Sequence, residues 1–212
     1  LKPATLASMF AAQYQPDPRV PGMGLAFWRR TAGGHLVVEH QGIIPGFDSQ
    51  ILVAPDDGVA LMAFTNGASR AVQWMPVEMS RLLHDLLGVP DDLIPPDVPQ
   101  RPEIWGDICG WYYLPGPLTD VRLRTIAGFG VEVFVRRGQL VLRFLTPIPA
   151  LYRGFPLHPA DDTDPHVFRM DLSEFGLGPF TVVFSSKPKT ETMAVHFDVM
   201  PLSAQHRSQR TN

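Results

Sequence analysis

The sequence has little cysteine, little excess charge of either sign and no long apolar run, and each shortage removes a class of reading. Cys109 is the single cysteine, so no internal disulfide can form and nothing about redox compartment follows from it. With apolar, β-like neighbours and no second thiol, it reads as buried filler instead of a nucleophile. Lys and Arg number 18 against 21 Asp and Glu, a net charge of −3, and no stretch gathers the basic residues along one face. That pattern lacks the electrostatic footprint of a nucleic-acid partner. Val59 to Phe64, the longest apolar run of note, falls far short of the roughly 20 residues that a bilayer-spanning helix needs, so no membrane span is expected. The N-terminus does not read as a signal peptide, because Lys2 is followed at once by Pro3 and the apolar residues are interrupted by Thr5 and Ser8. Any signal segment would lie upstream of Leu1, and the sequence does not choose between the cell envelope and the cytoplasm of a bacterium.

What the chain has is enough apolar content, 45% of 212 residues, for one large core or two modest ones, and the distribution of its 22 prolines favours two. Leu6, Met9 and Phe10 fall at i, i+3 and i+4 behind Pro3, the start of a short helix that Pro16, Pro18 and Pro21 cannot continue. Strand patterns follow. Gly24 to Arg29 and Leu36 to His40 flank a Thr31-Ala32-Gly33-Gly34 turn, and Ser49 to Ala54 and Val59 to Thr65 flank Pro55-Asp56-Asp57-Gly58. The last of these strands is apolar on both faces, which predicts cover on both sides and a helix packed on the sheet. Val72, Met75, Met79, Leu82, Leu83 and Leu86 supply that helix as one stripe, with Pro76 near its start or kinking it and Gly88 followed by Pro90 as its stop. Residues 89–104 are proline-rich and read as a stiff connector between a unit at 1–88 and a second at 105–204.

The second unit shows short β-like runs at hairpin spacing: Ile108 to Tyr113, Val121 to Ile126, Val131 to Arg136, Leu140 to Leu145, near Leu151 to Leu157, Val167 to Met170, Phe180 to Phe184, and Met193 to Val199. Many short strands without a helical stripe predict a small antiparallel barrel or sandwich, so the whole chain reads as α+β. The tail after Leu202 is polar and is expected to fray.

The chemistry concentrates in Glu39-His40-Gln41-Gly42-Ile43-Ile44-Pro45-Gly46-Phe47-Asp48-Ser49. His40 places a titratable group at a strand end, and Gly42 leaves the backbone open to a ligand. The N-H of Ile43, if it faces that space, is a donor of the oxyanion-hole kind. By itself His-x-Gly also reads as a strand-end histidine at a turn. The ordered series His40-x-Gly42, Gly46-Phe47, Ser49, the Pro55 to Gly58 turn, an apolar strand and Asn66 resembles the end of the serine β-lactamase-like family, which includes class C β-lactamases, penicillin-binding proteins, D-alanyl-D-alanine carboxypeptidases and esterases. The opening Leu1-Lys2-Pro3-x-Thr5-Leu6-Ala7-x-Met9 resembles the helix and loop before the family's sheet.

The resemblance implies that 1–88 is the C-terminal portion of a β-lactamase/transpeptidase-like domain, followed by a lipocalin-like barrel at 105–204. It implies that His40 and Gly42 form the third active-site motif on an edge strand, and that Ile43 supplies the oxyanion N-H. It implies no cofactor and no catalytic metal, and a small-molecule or peptide ester or amide as substrate. Histidine in the place of the family's lysine removes a fixed positive charge and leans the reading from a β-lactamase towards an esterase or peptidase.

The family's nucleophile motif Ser-x-x-Lys and its Tyr-x-Asn motif are absent from Leu1 to Glu39. This chain alone is therefore expected to be inactive, with the missing N-terminal catalytic segment as a partner. Ser186-Lys187-Pro188-Lys189 and Lys189-Thr190-Glu191 imitate the family motifs but read as a hairpin turn. His158, Asp161, Asp162, Asp164 and His166 are metal-ligand types without ligand spacing, and read as a solvated loop. Trp105, Trp111, Tyr112 and Tyr113 read as barrel core in preference to a sugar or lipid site. His35 and His84 read as turn and helix-surface residues with no role. Two functions follow: part of a serine hydrolase working through an acyl-serine, or a non-catalytic accessory barrel that carries a truncated sheet.

Overall fold

The computed structural model describes residues 1–66, 71–114, 128–186, 192–198 and 203–206. Internal packing divides the chain into two units. The first is Leu1–Leu93 with Asp171–Phe180 and Asp198–Pro201, and the second is Ile94–Met170, Thr181–Phe197 and Leu202–Asn212. Among the described residues the architecture is α+β with two antiparallel sheets.

The first unit opens with α1 (Pro3–Phe10), where proline fits the first turn because its missing N-H would be unpaired there anyway. Four strands follow in sequence order: β1 (Trp28–Ala32), β2 (His35–Ile44), β3 (Phe47–Ala54) and β4 (Val59–Thr65). The first strand begins later than its sequence pattern predicts. Gly24 N donates to Phe27 O across a tight turn that holds Ala26 at φ 61, and such a turn cannot pair with a neighbouring strand. The hairpin then closes on Gly33-Gly34, both at positive φ, as a two-residue turn requires.

α2 (Ala71–Leu87) packs Met75, Met79 and Leu83 onto Ala32, Val37 and Leu52, with Val59, Leu61, Ala63 and Leu87 around them. Pro76 lies inside the helix. Gly88 ends it at φ 66, with Val89 N donating to His84 O. Leu82 and Leu86, expected in the buried stripe, are exposed instead. Val72 lies outside the residues whose side chains are described. The buried stripe runs through 75, 79 and 83, and it carries His84 inward with it: the residue expected at the helix surface is buried. The expected second cover of β4 is also absent from the described residues, since Met62 and Phe64 are exposed opposite the helix.

The second unit begins in an irregular stretch, a 3-10 turn at Pro102–Ile104 and α3 (Trp105–Ile108), so the strand predicted from Ile108 starts at β5 (Gly110–Tyr113). The other strands are β6 (Gly130–Arg136), β7 (Gln139–Phe144), β8 (Phe155–Pro156), β9 (His158–Pro159), β10 (Val167–Asp171), β11 (Pro179–Ser186), β12 (Met193–Phe197) and β13 (Ser203–His206). The predicted strand near Leu151 is in part a helical turn, α4 (Pro149–Tyr152), and the strand predicted over Val121 to Ile126 lies outside the described residues. The strands form one sheet in the order β8-β7-β6-β5-β13-β12-β11-β10-β9. Its two terminal strands are separated in sequence only by Leu157, so the sheet curls into a nearly closed barrel.

The expectation of a frayed tail is overturned at β13, which fills the place between β5 and β12. The register puts Tyr112, Val131, Phe144, Leu142, Phe184 and Val195 on one buried face. Tyr112 donates its hydroxyl to Ile108 O at 2.7 Å, and its ring meets Phe184 edge-on. Of the aromatics read as core, Tyr112 is buried, whereas Trp111 and Tyr113 are exposed.

Candidate functional site

β2 and β3 meet at a two-residue turn, Pro45-Gly46, with Ile44 opposite Phe47, Ile43 opposite Asp48, Gly42 opposite Ser49 and His40 opposite Ile51. In such a hairpin the flanking pair exchanges hydrogen bonds and the pairs alternate from there. Ile44 and Gly42 therefore bond to β3, and the main-chain N-H and C=O of Ile43 turn away from it. They face the edge that β1 leaves open, because β1 pairs with β2 only as far as Glu39.

Gly42, Ile43, Ile44, Phe47, Asp48, Ser49, Phe64, Thr65 and Asn66 line an open recess of about 520 Å³ at this end of the sheet. Ile44, Phe47 and Phe64, on one face of the sheet, give it a largely apolar wall that faces solvent. Asp48 is buried, and Gln41 Nε2 approaches its carboxylate at 3.4 and 3.5 Å. A Cβ on Gly42 would come within 2.8 Å of Ser49 Oγ, and that hydroxyl donates to Gly42 O at 3.4 Å. The glycine thus keeps the floor of the recess flat.

The structure brings Gly42 and Ile43 into the recess and leaves His40 beside it. His40 is exposed, and its ring stacks on Trp28 with centroids 6.1 Å apart. His35, read as a turn residue, ties the β1–β2 turn to the β3–β4 turn through Nδ1, 2.8 Å from Asp57 Oδ1. Sequence reasoning missed Phe47, Phe64 and Asp48 as recess residues. The signal available was two large apolar residues flanking a Pro-Gly turn with no pattern to bury them.

The other groups singled out from sequence have structural roles. Asp161 accepts from Thr163 N and Oγ1, each at 2.6 Å, and these bonds hold its carboxyl below the usual carboxylate range. Asp164 likewise accepts from His166 N. The acidic loop is therefore spent on its own turns. Burial pushes the Cys109 thiol up, away from the thiolate a nucleophile needs. Ser186 ends β11, and the residues after it that imitate Lys-Thr-Gly lie outside the described residues. Among the described residues, no helix is long and apolar enough to cross a membrane.

No protein-family model matches the chain. No curated protein sequence matches it either. Among solved structures, the chain is similar to SurE crystallised with D-Leu, at 20% identity and TM-score 0.53, over 98% of this chain and 44% of that one. A second SurE crystal structure matches at 19% identity and TM-score 0.53, over 98% of this chain and 42% of that one. The octameric penicillin-binding protein homologue from Pyrococcus abyssi matches at 16% identity and TM-score 0.35, over 95% of this chain and 41% of that one. The chain spans less than half the length of the structures it matches. These findings correct the expected function: the likeness that reaches a shared fold is to SurE, and the likeness to a penicillin-binding protein homologue is too distant to carry a serine-hydrolase assignment. Local geometry gives no reason to restore it, since Ser49 Oγ bonds to Gly42 O and the described ring contact of His40 is Trp28. The accessory-barrel alternative gains no support from them either.

Proposed function

We propose that this chain forms part of a SurE-like protein and that its recess binds a small amino-acid-like ligand, of which D-leucine is the type. The observation that carries the reading is the combination of an outward-turned Ile43 N-H at the sheet edge with an apolar wall of Ile44, Phe47 and Phe64, which the registers place on one face. A free N-H at an open strand edge suits a carboxylate, and a branched aliphatic side chain suits the apolar wall. Asn66, just past the end of β4, offers an acceptor for an ammonium group. SurE has been crystallised with D-Leu, which supplies the candidate.

In this reading residues 1–88 carry the recess, 89–104 connect, and 105–204 form a lipocalin-like barrel. The serine β-lactamase-like resemblance enters only as a reading of the sheet, with His40, Gly42 and Ile43 at its third-motif positions.

The test is calorimetric titration of the full chain with D-leucine and with L-leucine, repeated on Gly42→Val, whose side chain meets Ser49 Oγ and crowds the floor. Saturable binding of D-leucine that Gly42→Val weakens at least tenfold supports the reading. Absence of binding, or equal binding to the folded variant, removes it.

A further inference from the structure

A second cavity, of about 270 Å³, lies within the first unit between the helix-covered face of the sheet, α2 and Gly176–Phe180. Its walls hold two buried polar side chains with unmet hydrogen-bonding atoms. Gln50, on β3, is 7% exposed, and its Oε1 has no partner among the described residues. His84, in the last turn of α2, is 2% exposed, and neither ring nitrogen has a hydrogen-bond partner among the described residues. Its nearest described charge, Asp91 Oδ1, stands 3.9 Å from Nδ1, beyond hydrogen-bond reach. Buried polar atoms are rarely left unpaired, because each then loses water and gains nothing. Two such side chains in the lining of one cavity, one from the sheet and one from the helix, mark a place that something else completes.

The cavity's own chemistry narrows what that is. Three arginines and four carboxylates reach its lining, so neither sign dominates. The arginines are already engaged: Arg29 donates to Pro21 O and Phe10 O, Arg30 donates to Ser80 Oγ and stands 3.1 Å from Glu39, and Arg81 donates to Glu78. Among the described residues of the lining, each arginine thus already has a partner and none stands free for a phosphate or carboxylate ligand. Gln50 Oε1 can only accept, whereas a neutral imidazole needs one donor and one acceptor. A hydroxyl both donates and accepts, so neighbouring hydroxyls on one small molecule satisfy all three atoms with either tautomer of His84. Gln41, opposite Gln50 across the β2–β3 ladder, and the carboxylate of Glu39 add the kind of groups that pair with vicinal hydroxyls, and the ring of Trp28 adds a flat apolar surface.

We infer that this cavity is a binding site for a small neutral polyol, of the size of a monosaccharide, held by Gln50 and His84. The inference is independent of the D-leucine reading, since neither residue lines the recess at the end of the sheet. Nuclear magnetic resonance of the full chain, following the Gln50 side-chain amide and the His84 ring, tests it with D-glucose, D-galactose and myo-inositol as probes. The expected result is a saturable shift at both groups with at least one polyol, accompanied by a higher melting temperature. His84→Phe and Gln50→Leu each remove the response while preserving the fold, and either variant suffices if the other fails to fold. Three results overturn the inference: no saturable shift with any polyol, which leaves the cavity to water; an undiminished response in a folded variant; or a response at these groups to leucine or phosphate but not to polyols.

Discussion

Along β3 and β4 the two faces of the four-stranded sheet are made of the same kind of residue and end in opposite states. On one, Val37 and Leu52 lie fully buried under Met75, Met79 and Leu83 of α2. On the other, Met62 and Phe64 of β4 are 62% and 74% exposed, and Ile44 and Phe47 continue the exposed surface to the hairpin turn. β4 reads Val-Ala-Leu-Met-Ala-Phe-Thr, apolar at nearly every position, so alternation alone cannot say which face is covered. The difference lies in the partner. α2 reaches one face with three large side chains, whereas no described element covers Met62 and Phe64 on the other. Stability should accordingly depend on the first face and solubility on the second.

The largest break in this comparison is expected from Leu83→Ala. Truncating a fully buried leucine removes its transfer free energy and leaves a cavity, a cost of about 2–5 kcal/mol in a chemical denaturation curve. Next comes Gly88→Ala, which forces an alanine into the φ 66 conformation that ends α2 and loosens the element that covers the sheet. Its expected cost is about 1–2 kcal/mol in the same measurement. Phe64→Ser should have the smallest effect, within about 0.5 kcal/mol of the parent, because its side chain is exposed in this chain. It should also lower the binding of a hydrophobic dye. A loss comparable to that of Leu83→Ala would mean that the second face is covered after all.

Much of this fold was legible, because period and punctuation agreed where packing is local. Val59 to Thr65 is a strand with the predicted bounds, and Gly88 ends α2 through the positive φ that its position suggested. The misreadings arose where long-range partners decide. His84 follows Leu83 on the helix, and a slight rotation of the buried stripe takes it inward together with Ser80, which hydrogen-bonds Arg30. β13 reads as a polar tail in isolation and becomes a strand because β5 and β12 each offer it an unpaired edge.

The candidate site was legible only in part. Gly42 and Ile43 lie in the recess, but its apolar wall comes from Phe47 and Phe64, which the registers of β2 with β3 and of β3 with β4 bring together from three strands. Gln50 carried no sequence signal, since a lone glutamine inside an apolar strand becomes informative only once its burial and its unpaired oxygen are seen.

The central claim is that the open end of the sheet receives an amino-acid-like ligand through the Ile43 N-H, and hydrogen-deuterium exchange of the full chain with and without D-leucine tests it most directly. That amide points away from β3 past the end of β1, so it should exchange quickly in the free protein. With saturating D-leucine it should slow markedly, while the amides of α2 stay unchanged. Unaltered exchange at Ile43, or protection confined to other parts of the chain, would contradict the account.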